Sequence, residues 1–487
     1  MVIESLKYKI LQQFGFAPTQ EQGQALDTFV SFLTDRDPQA VMILRGSAGT
    51  GKTSLSGAIV RTLLQIRQKV MLLAPTGRAA KVFSLGSGAP AYTIHRRIYR
   101  EKAFAGVDGQ FSLNDNLYTD TLFMVDEASM IANMGLGGTT FGSGCLLDDL
   151  VKFVYQGHND RLLLIGDKAQ LPPVGEEESP ALSASVMEGY GLKVYECDLN
   201  EVLRQSQSSG ILYNATLIRQ MITHDAVTGL PLIRFKGFAD IVMMPGAELV
   251  ESLGDSYHHV GMDETMVITR SNKRANIYNN GIRNMVLDRE EELSSGDMLM
   301  IVKNNYFWTE KEKKSGEGSA GAVPAFLANG DRAKVLRVSN YIELYGFRFA
   351  TLLLQLPDYD DYEMQVTGML DTLQSEAPAL THKQQEELFR QVEEDYQHFV
   401  PLKADRMKSI RQDAYFNALQ IKYAYAVTCH KAQGGQWAHV YVDQGYMTDD
   451  MLTPDYIHWL YTAFTRATDK LFLVNWPKEQ TSEPTDQ

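Results

Sequence analysis

Apolar and polar positions recur along this chain with two different periods. Between residues 21 and 34, Ala25, Leu26, Phe29, Val30 and Leu33 fall at helical spacing behind Pro18-Thr19-Gln20-Glu21-Gln22, a helix start. Elsewhere the apolar residues form short unbroken runs at 41–44, 70–74, 122–125 and 161–165. A second set follows at Met266-Val267-Ile268-Thr269, Val440-Tyr441-Val442 and Leu471-Phe472-Leu473-Val474. Runs that are apolar on both faces predict parallel strands covered by helices. Two such sets predict two α/β domains.

Two insertions break this rhythm. Residues 98–120 contain Phe104-Ala105-Gly106-Val107-Asp108-Gly109-Gln110-Phe111, where Asp-Gly between apolar and aromatic residues predicts a tight hairpin. Residues 296–355 hold β-rich runs (298–302, 333–338, 347–354) and turns such as Asn329-Gly330, which predict a small barrel. The polar span 309–320 reads as a mobile loop, the glycine-rich run 135–144 as another loop, and 479–487 as a disordered tail. No internal repeat is visible.

Composition changes the picture only at its edges. A chain of 487 residues suggests about three domains, and 44% hydrophobic content is ordinary for globular cores. No run of 18 or more apolar residues predicts a membrane span, and the N-terminus lacks a signal peptide's features. The three cysteines, Cys145, Cys197 and Cys429, have no metal-ligand spacing, and the expected setting is a reducing cytoplasm. A net charge of −14 argues mildly against a nucleic-acid partner. The acidic residues crowd the stretch from Asp358 to Asp395, however, read as a solvated face, while Arg78, Lys81, His95-Arg96-Arg97 and Arg270 to Arg274 leave room for a locally positive channel.

The first chemistry appears where the 41–44 run ends. Gly46-Ser47-Ala48-Gly49-Thr50-Gly51-Lys52-Thr53 fits Gly-x-x-x-x-Gly-Lys-Thr between a strand and a helix. Glycines there let successive backbone N–H groups wrap a polyphosphate, with the positive end of the next helix behind them. Lys52 is expected on the β- and γ-phosphates and the Thr53 hydroxyl on Mg²⁺. Asp126 and Glu127 follow another strand: the first is expected to hold Mg²⁺ and the second to orient or deprotonate a water. Gln170, in Gly166-Asp167-Lys168-Ala169-Gln170 at the next strand end, suits a γ-phosphate or water sensor.

Taken in order, Gln22, the Gly46–Thr53 loop, Ala74-Pro75-Thr76-Gly77-Arg78-Ala79-Ala80, Thr93-Ile94-His95, Asp126-Glu127-Ala128-Ser129 and Gly166 to Gln170 resemble superfamily 1B DNA helicases of the RecD, Pif and Dda type. Leu199-Asn200-Glu201-Val202-Leu203-Arg204-Gln205, Thr269-Arg270-Ser271-Asn272, Thr428-Cys429-His430-Lys431-Ala432-Gln433-Gly434 and Tyr461-Thr462-Ala463-Phe464-Thr465-Arg466-Ala467 continue the series. The resemblance implies an α/β fold of two RecA-like P-loop domains with ATP in the cleft between them. It implies a β-hairpin insertion in the first domain and an SH3-like β-barrel insertion in the second. The expected boundaries are 1–200 for the first domain, with its pin at 98–120, 201–295 plus 411–478 for the second, and 296–410 for the insertion with its acidic helical stretch.

The same resemblance gives Gln22 to the adenine, and Arg204 and Arg466 to the γ-phosphate as arginine fingers. It puts Pro75, Thr76, Thr93, His95, Asn272, His430 and Lys431 on single-stranded DNA, and Phe104 or Phe111 at the tip of a strand-separating pin. The implied activity is ATP- and Mg²⁺-dependent 5′-to-3′ movement on single-stranded DNA with unwinding at single-strand/duplex junctions, alongside unspecified replication or repair proteins. The rival expectations are a nucleotide-gated nucleic-acid-binding switch, a translocase without unwinding, and an RNA helicase.

Overall fold

The computed structural model describes residues 2–105, 108–135, 142–201, 208–223, 229–315, 324, 326–448 and 451–482. The four apolar runs become strands β1 (Ala40–Gly46), β2 (Lys69–Ala74), β6 (Thr121–Val125) and β7 (Arg161–Gly166), joined by two strands that no run predicted, β3 (Ala91–Thr93) and β8 (Lys193–Leu199), with a hairpin of β4 (Tyr99–Ala105) and β5 (Asp108–Leu113) inserted after β3. The six form one sheet in the order β3-β2-β6-β7-β1-β8, every pairing parallel. Alternate side chains of β1 enter two cores. Met42 and Leu44 meet Phe29, Ala58 and Phe83 on one face, and Val41 and Ile43 meet Leu150, Phe153 and Leu182 on the other. Each such buried aliphatic side chain contributes about 1.5–3 kcal/mol.

The chain divides into two units: Met1–Met244 with Ala432–Ala438 and Tyr446–Gln487, and Pro245–Lys431 with His439–Gly445. The first unit also holds β9 (Ile241–Met244). In the second, β10 (Thr265–Thr269) is followed by the barrel strands β11 (Met298–Ile301), β12 (Arg332–Leu344), β13 (Phe347–Leu356), β14 (Tyr362–Met369) and β15 (Leu419–Tyr423). These five close into a barrel. β16 (Ala426–Thr428) and β17 (Trp437–Asp443) each pair in parallel with β10. Back in the first unit, β18 (Ala467–Val474) pairs in parallel with β9.

Several local expectations need correction. In the hairpin, Ala105 pairs with Asp108 and Phe104 with Gly109, so Asp-Gly lies in β5 instead of forming the turn. The acidic stretch is no plain solvated face: it supplies β14, where Tyr362 is buried, and the helices His382–Gln397 and Lys403–Arg411. Leu388, Val392 and Ile410 from those helices pack on Phe347 and Phe349 of the barrel. Part of the expected loop at 309–320 is the helix Phe307–Ser315, anchored by buried Trp308, whose Nε1 donates to the Asn417 carbonyl at 2.9 Å. The tail begins later than expected, because Gln480 is buried and Thr481 bridges Ile233. Residues 136–141, 316–320 and 483–487 of the three expected loops lie outside the described residues. An unexpected helix, Val2–Phe14, sets Leu6, Ile10 and Phe14 into the first core.

The barrel-facing side of the acidic helices makes a separable expectation. Leu388→Ala should cost about 2–5 kcal/mol in denaturant unfolding, whereas Glu394→Gln on the outer side should stay within about 0.5 kcal/mol. Equal, small effects would mean that the stretch does not pack as described.

Candidate nucleotide and nucleic-acid sites

β1 stays buried to its last residue, Gly46, and the chain then turns into the helix Lys52–Gln65. Gly49 and Gly51 hold φ of 77° and 81°, the left-handed region that glycine enters freely. Gly46 is tightly enclosed: an added Cβ would lie 2.9 Å from Lys52 Cγ, 2.9 Å from Thr50 Oγ1 and 3.0 Å from Leu199 Cβ. Lys52 Nζ donates to the carbonyls of Gly46 at 2.5 Å and Ser47 at 2.9 Å, so the ammonium lies back across the mouth of its own loop. Thr53 is exposed at the helix start. Gln22 is buried, its Nε2 donating to the Thr50 carbonyl at 2.9 Å while its Oε1 accepts from Thr19 N. In this arrangement both ends of that amide brace the loop and the Gln20–Thr34 helix.

Asp126 follows β6 and accepts from Glu127 N at 2.9 Å; Glu127 itself has φ of 51°. Burial and the adjacent Glu127 carboxylate push Asp126 up to about 7, against the weaker pull of the Glu127 N–H and Lys52. Two carboxylates in this position fit a hard divalent cation, which would relieve their repulsion. No three His, Cys, Asp or Glu side chains cluster as a metal cage among the described residues. Mg²⁺ takes one or two protein oxygens and completes its shell with phosphates and water.

Gln170, Glu127 and Arg466 come together. With the Gln170 amide oriented by its hydrogen bonds, its nitrogen donates to Glu127 Oε2 at 3.2 Å and its oxygen accepts from Arg466 Nη2 at 3.1 Å. Arg466 is 2% exposed, and its remaining donors go to Thr462 O, Gly435 O and Thr465 Oγ1 at 3.1–3.2 Å. Among the described residues the buried Arg466 guanidinium is thus held by neutral oxygens.

Two residues near the loop carried no assigned role in the sequence. Tyr461 Oη accepts from Ala48 N at 3.0 Å and donates to Asp167 Oδ2 at 2.6 Å. Burial and Asp167 push its pKa well above the ordinary tyrosine value. Arg219, from the helix Gly210–Thr223, donates to Ser47 Oγ at 2.6 Å. Tyr461 was visible inside a motif. Arg219 had one signal, as the sole charged residue of its helix.

The groups expected on nucleic acid are less tightly assembled. Thr76 caps the helix Gly77–Ser87 and Thr93 caps Ile94–Ile98, each through its hydroxyl, while Pro75 is half-buried just before Thr76. Burial lowers His95 to about 4, which leaves it neutral at pH 7. In the second unit, Asn272 and Lys431 line one small cleft with Lys422, Asn276 and Thr428; His430 is exposed beside it. Lys431 Nζ is buried without a hydrogen-bond partner among the described residues. Burial, then the nearby Lys422, lowers Lys431 to about 8, and burial lowers Lys422 to about 8 as well. Phe111 is half-buried against the first unit's core. Arg204 and the side chain of Phe104 lie outside the described residues.

A strand–glycine loop–helix on a parallel sheet, with paired carboxylates two strands away from β1, defines a P-loop nucleoside-triphosphate-binding protein. A family model described as AAA domain matches residues 17–229, and one described as UvrD-like helicase C-terminal domain matches 423–474. The chain is 30% identical over 157 residues to the ATP-dependent RecD2 DNA helicase of Deinococcus radiodurans, covering 32% of this chain and 18% of that protein. It is 25% identical over 267 residues to the ATP-dependent DNA helicase dda of Enterobacteria phage T4, covering 53% and 55%. The chain therefore spans less than two thirds of either relative's length. The structure of Pif1 helicase from Bacteroides in complex with ADP-AlF3 and ssDNA aligns at 13% identity over 96% of this chain and 95% of that one, with a TM-score of 0.46. Over these residues the chain is similar to helicases of the RecD and Dda type.

The enclosure of Gly46 is directly testable. Gly46→Ala should lower stability in denaturant unfolding by about 1–3 kcal/mol through overpacking. An unchanged midpoint would mean that the loop moves aside at no cost.

Proposed function

We propose that this chain is an ATP-dependent DNA helicase that moves 5′ to 3′ along single-stranded DNA and opens duplex at a single-strand/duplex junction. The observation that carries the reading is the Glu127–Gln170–Arg466 chain. A binding switch has no need of a carboxylate tied through an amide to a buried guanidinium. An ATP hydrolase needs both, one to orient water and one to stabilise developing charge on the phosphoryl group.

In this reading Lys52 leaves the Gly46 and Ser47 carbonyls for the β- and γ-phosphates. Glu127 orients the attacking water and accepts its proton. Gln170 reports on the occupant of that position, and Arg466, with Arg204, neutralises charge on the γ-phosphate. Mg²⁺, held by Asp126 and Thr53, would supply charge neutralisation at the phosphates. Gln22, which braces Thr50 in the structure, would turn to the adenine. The strand would run over Pro75, Thr76, Thr93 and His95 and over Asn272, His430 and Lys431, whose hydroxyl and N–H donors hold phosphates without reading sequence. The domain reading is RecA-like at 1–200 with the hairpin as pin, RecA-like at 201–295 and 411–478, and an SH3-like insertion within 296–410. The three cysteines are free, which supports a reducing, cytoplasmic setting.

One observation favours a second reading. Phe111 packs into the core, which leaves only Phe104 as the wedge. If Phe104 does not stack on the terminal base pair, the chain is a translocase or switch that does not unwind.

Partial duplexes with a 5′ or a 3′ single-stranded DNA tail, or a 5′ RNA tail, separate these readings in the presence of ATP and Mg²⁺. The 5′ DNA-tailed duplex alone should open, and Lys52→Ala should lower ATP turnover by about 10²-fold or more. ATP turnover stimulated by single strands without opening of any duplex would overturn the helicase reading and favour translocation. A preference for the RNA tail would overturn the choice of substrate.

The lysine cleft adds a pH dependence. A bound phosphate favours the ammonium form, so Lys431, at about 8 in the free protein, takes up a proton on binding above that pH. Oligonucleotide affinity should hold below about pH 8 and fall as the pH rises further. Lys431→Arg, charged throughout, should flatten part of the decline, and Lys422→Arg the remainder. Fluorescence anisotropy with an unchanged slope in both variants would place the strand elsewhere.

A further inference from the structure

The helix Gly210–Thr223 reads GILYNATLIRQMIT and carries one charge, Arg219. Ile211, Ala215 and Ile218 bury one side of it, so it is a packing helix, and Arg219 is half-buried at its C-terminal end. A partly desolvated guanidinium needs an anion or a strong set of hydrogen bonds to offset the lost hydration. Among the described residues no carboxylate forms an ion pair with it. Its Nη1 donates to Ser47 Oγ at 2.6 Å and to Asn200 Oδ1 at 3.3 Å, both neutral oxygens. The Glu21 carboxylate is spent on the backbone N–H groups of Asn200 and Glu201.

Ser47 is also where Lys52 rests, with Nζ 2.9 Å from the Ser47 carbonyl. Two cations from opposite ends of the sequence segment 47–219 thus converge on one residue of the phosphate-binding loop, with only neutral oxygens between them. The Tyr461 hydroxyl occupies the next N–H of the loop, that of Ala48, and Arg219 eases its ionisation electrostatically. The guanidinium therefore reaches the same edge of the loop as Tyr461. The hydrogen bonds are satisfied here and the charge is not.

We infer that Arg219 contacts the terminal phosphate of the bound nucleoside triphosphate, from the Ser47 side of the loop, and so distinguishes triphosphate from diphosphate. The inference rests on the nucleotide site proposed above. Lys52 bridges β- and γ-phosphates and meets either nucleotide, whereas a contact confined to the terminal phosphate is lost with it. Arg219 moves from the Ser47 hydroxyl to a phosphate oxygen, exchanging a neutral acceptor for a charged one that its planar fork can grip with two donors. It is a substrate-contacting residue supplied by the Gly210–Thr223 helix, in addition to Arg204 and Arg466.

The test is calorimetric binding of ADP and of the non-hydrolysable β,γ-imido analogue of ATP, with Mg²⁺, to the full chain and to Arg219→Ala and Arg219→Lys. A charge-assisted contact corresponds to about tenfold or more in affinity. Arg219→Ala should therefore weaken the triphosphate analogue by about that factor while ADP changes less than about threefold, and Arg219→Lys should recover part of the loss. Thermal melts identify any variant that binds poorly because it folds poorly; Arg219→Lys then carries the comparison, since it keeps the charge and the stem. Parallel weakening of both nucleotides, or no change in either, in a variant that melts like the wild type overturns the role of Arg219. A wild-type chain that binds neither nucleotide overturns the nucleotide site itself, and the inference with it.

Discussion

Burial of β1 on both faces is the constraint from which the site follows. A central parallel strand has its own N–H and C=O groups satisfied by β7 and β8 as far as Gly46. Beyond that residue the ladder stops, and the next helix brings its own unpaired N–H groups. The chain crosses from one to the other in five residues, which requires backbone turns that only glycine makes cheaply at positions 49 and 51. An anion-binding loop is the outcome. Around it, Lys52 donates to the carbonyls of Gly46 and Ser47, Tyr461 Oη accepts from Ala48 N, and Arg219 donates to Ser47 Oγ.

Around the loop, polar groups relay from one strand end to the next. Glu127 follows β6, Gln170 follows β7, and the guanidinium of Arg466 closes the series. Asp167, from the same turn as Gln170, supports Tyr461 on the loop. Leu171, one residue after Gln170, donates its N–H to Thr462 Oγ1 at 2.8 Å, and the Gln433 amide donates to the Leu171 carbonyl at 2.7 Å. The turn after β7 is thereby fixed by residues far along the chain, and the Gln170 amide has little freedom to move without altering its bonds to Glu127 and Arg466. A group whose position is determined this closely suits a sensor, because a change at one end is transmitted as a change in hydrogen-bond partner.

How much of this was legible depends on the range of the interaction. The inner strands β1, β2, β6 and β7 were legible because a parallel strand covered on both faces is apolar nearly throughout, a local signature, whereas the edge strands β3 and β8 are short or half-exposed and lack it. The P-loop was legible because its geometry fixes glycine and lysine at set spacings. The helix at 307–315 was not, because its polar sequence gives no amphipathic signal and its anchor is the single Trp308 reaching Asn417. The Val2–Phe14 helix escaped for want of a distinct start signal. At the site, the motifs named Glu127, Gln170 and Arg466 separately, but their meeting spans hundreds of residues. The Tyr461–Ala48 bond joins positions 413 apart, and no period or spacing encodes a contact of that kind.

The acidic balance of the chain is also resolved by position. The charge of −14 is a property of the sum, whereas a phosphate responds to what lies within about 10 Å at moderate salt. Five carboxylates lie on the single helix at 382–397, where Glu387 and Glu394 pair with Arg390. The cleft of the second unit contains Lys422 and Lys431 with asparagines and a threonine, and no carboxylate lines it. Burial lowers both ammonium groups, and Lys422 lowers Lys431 further. Overall negative charge weakens long-range attraction of a polyanion while leaving short-range contacts at such a cleft intact.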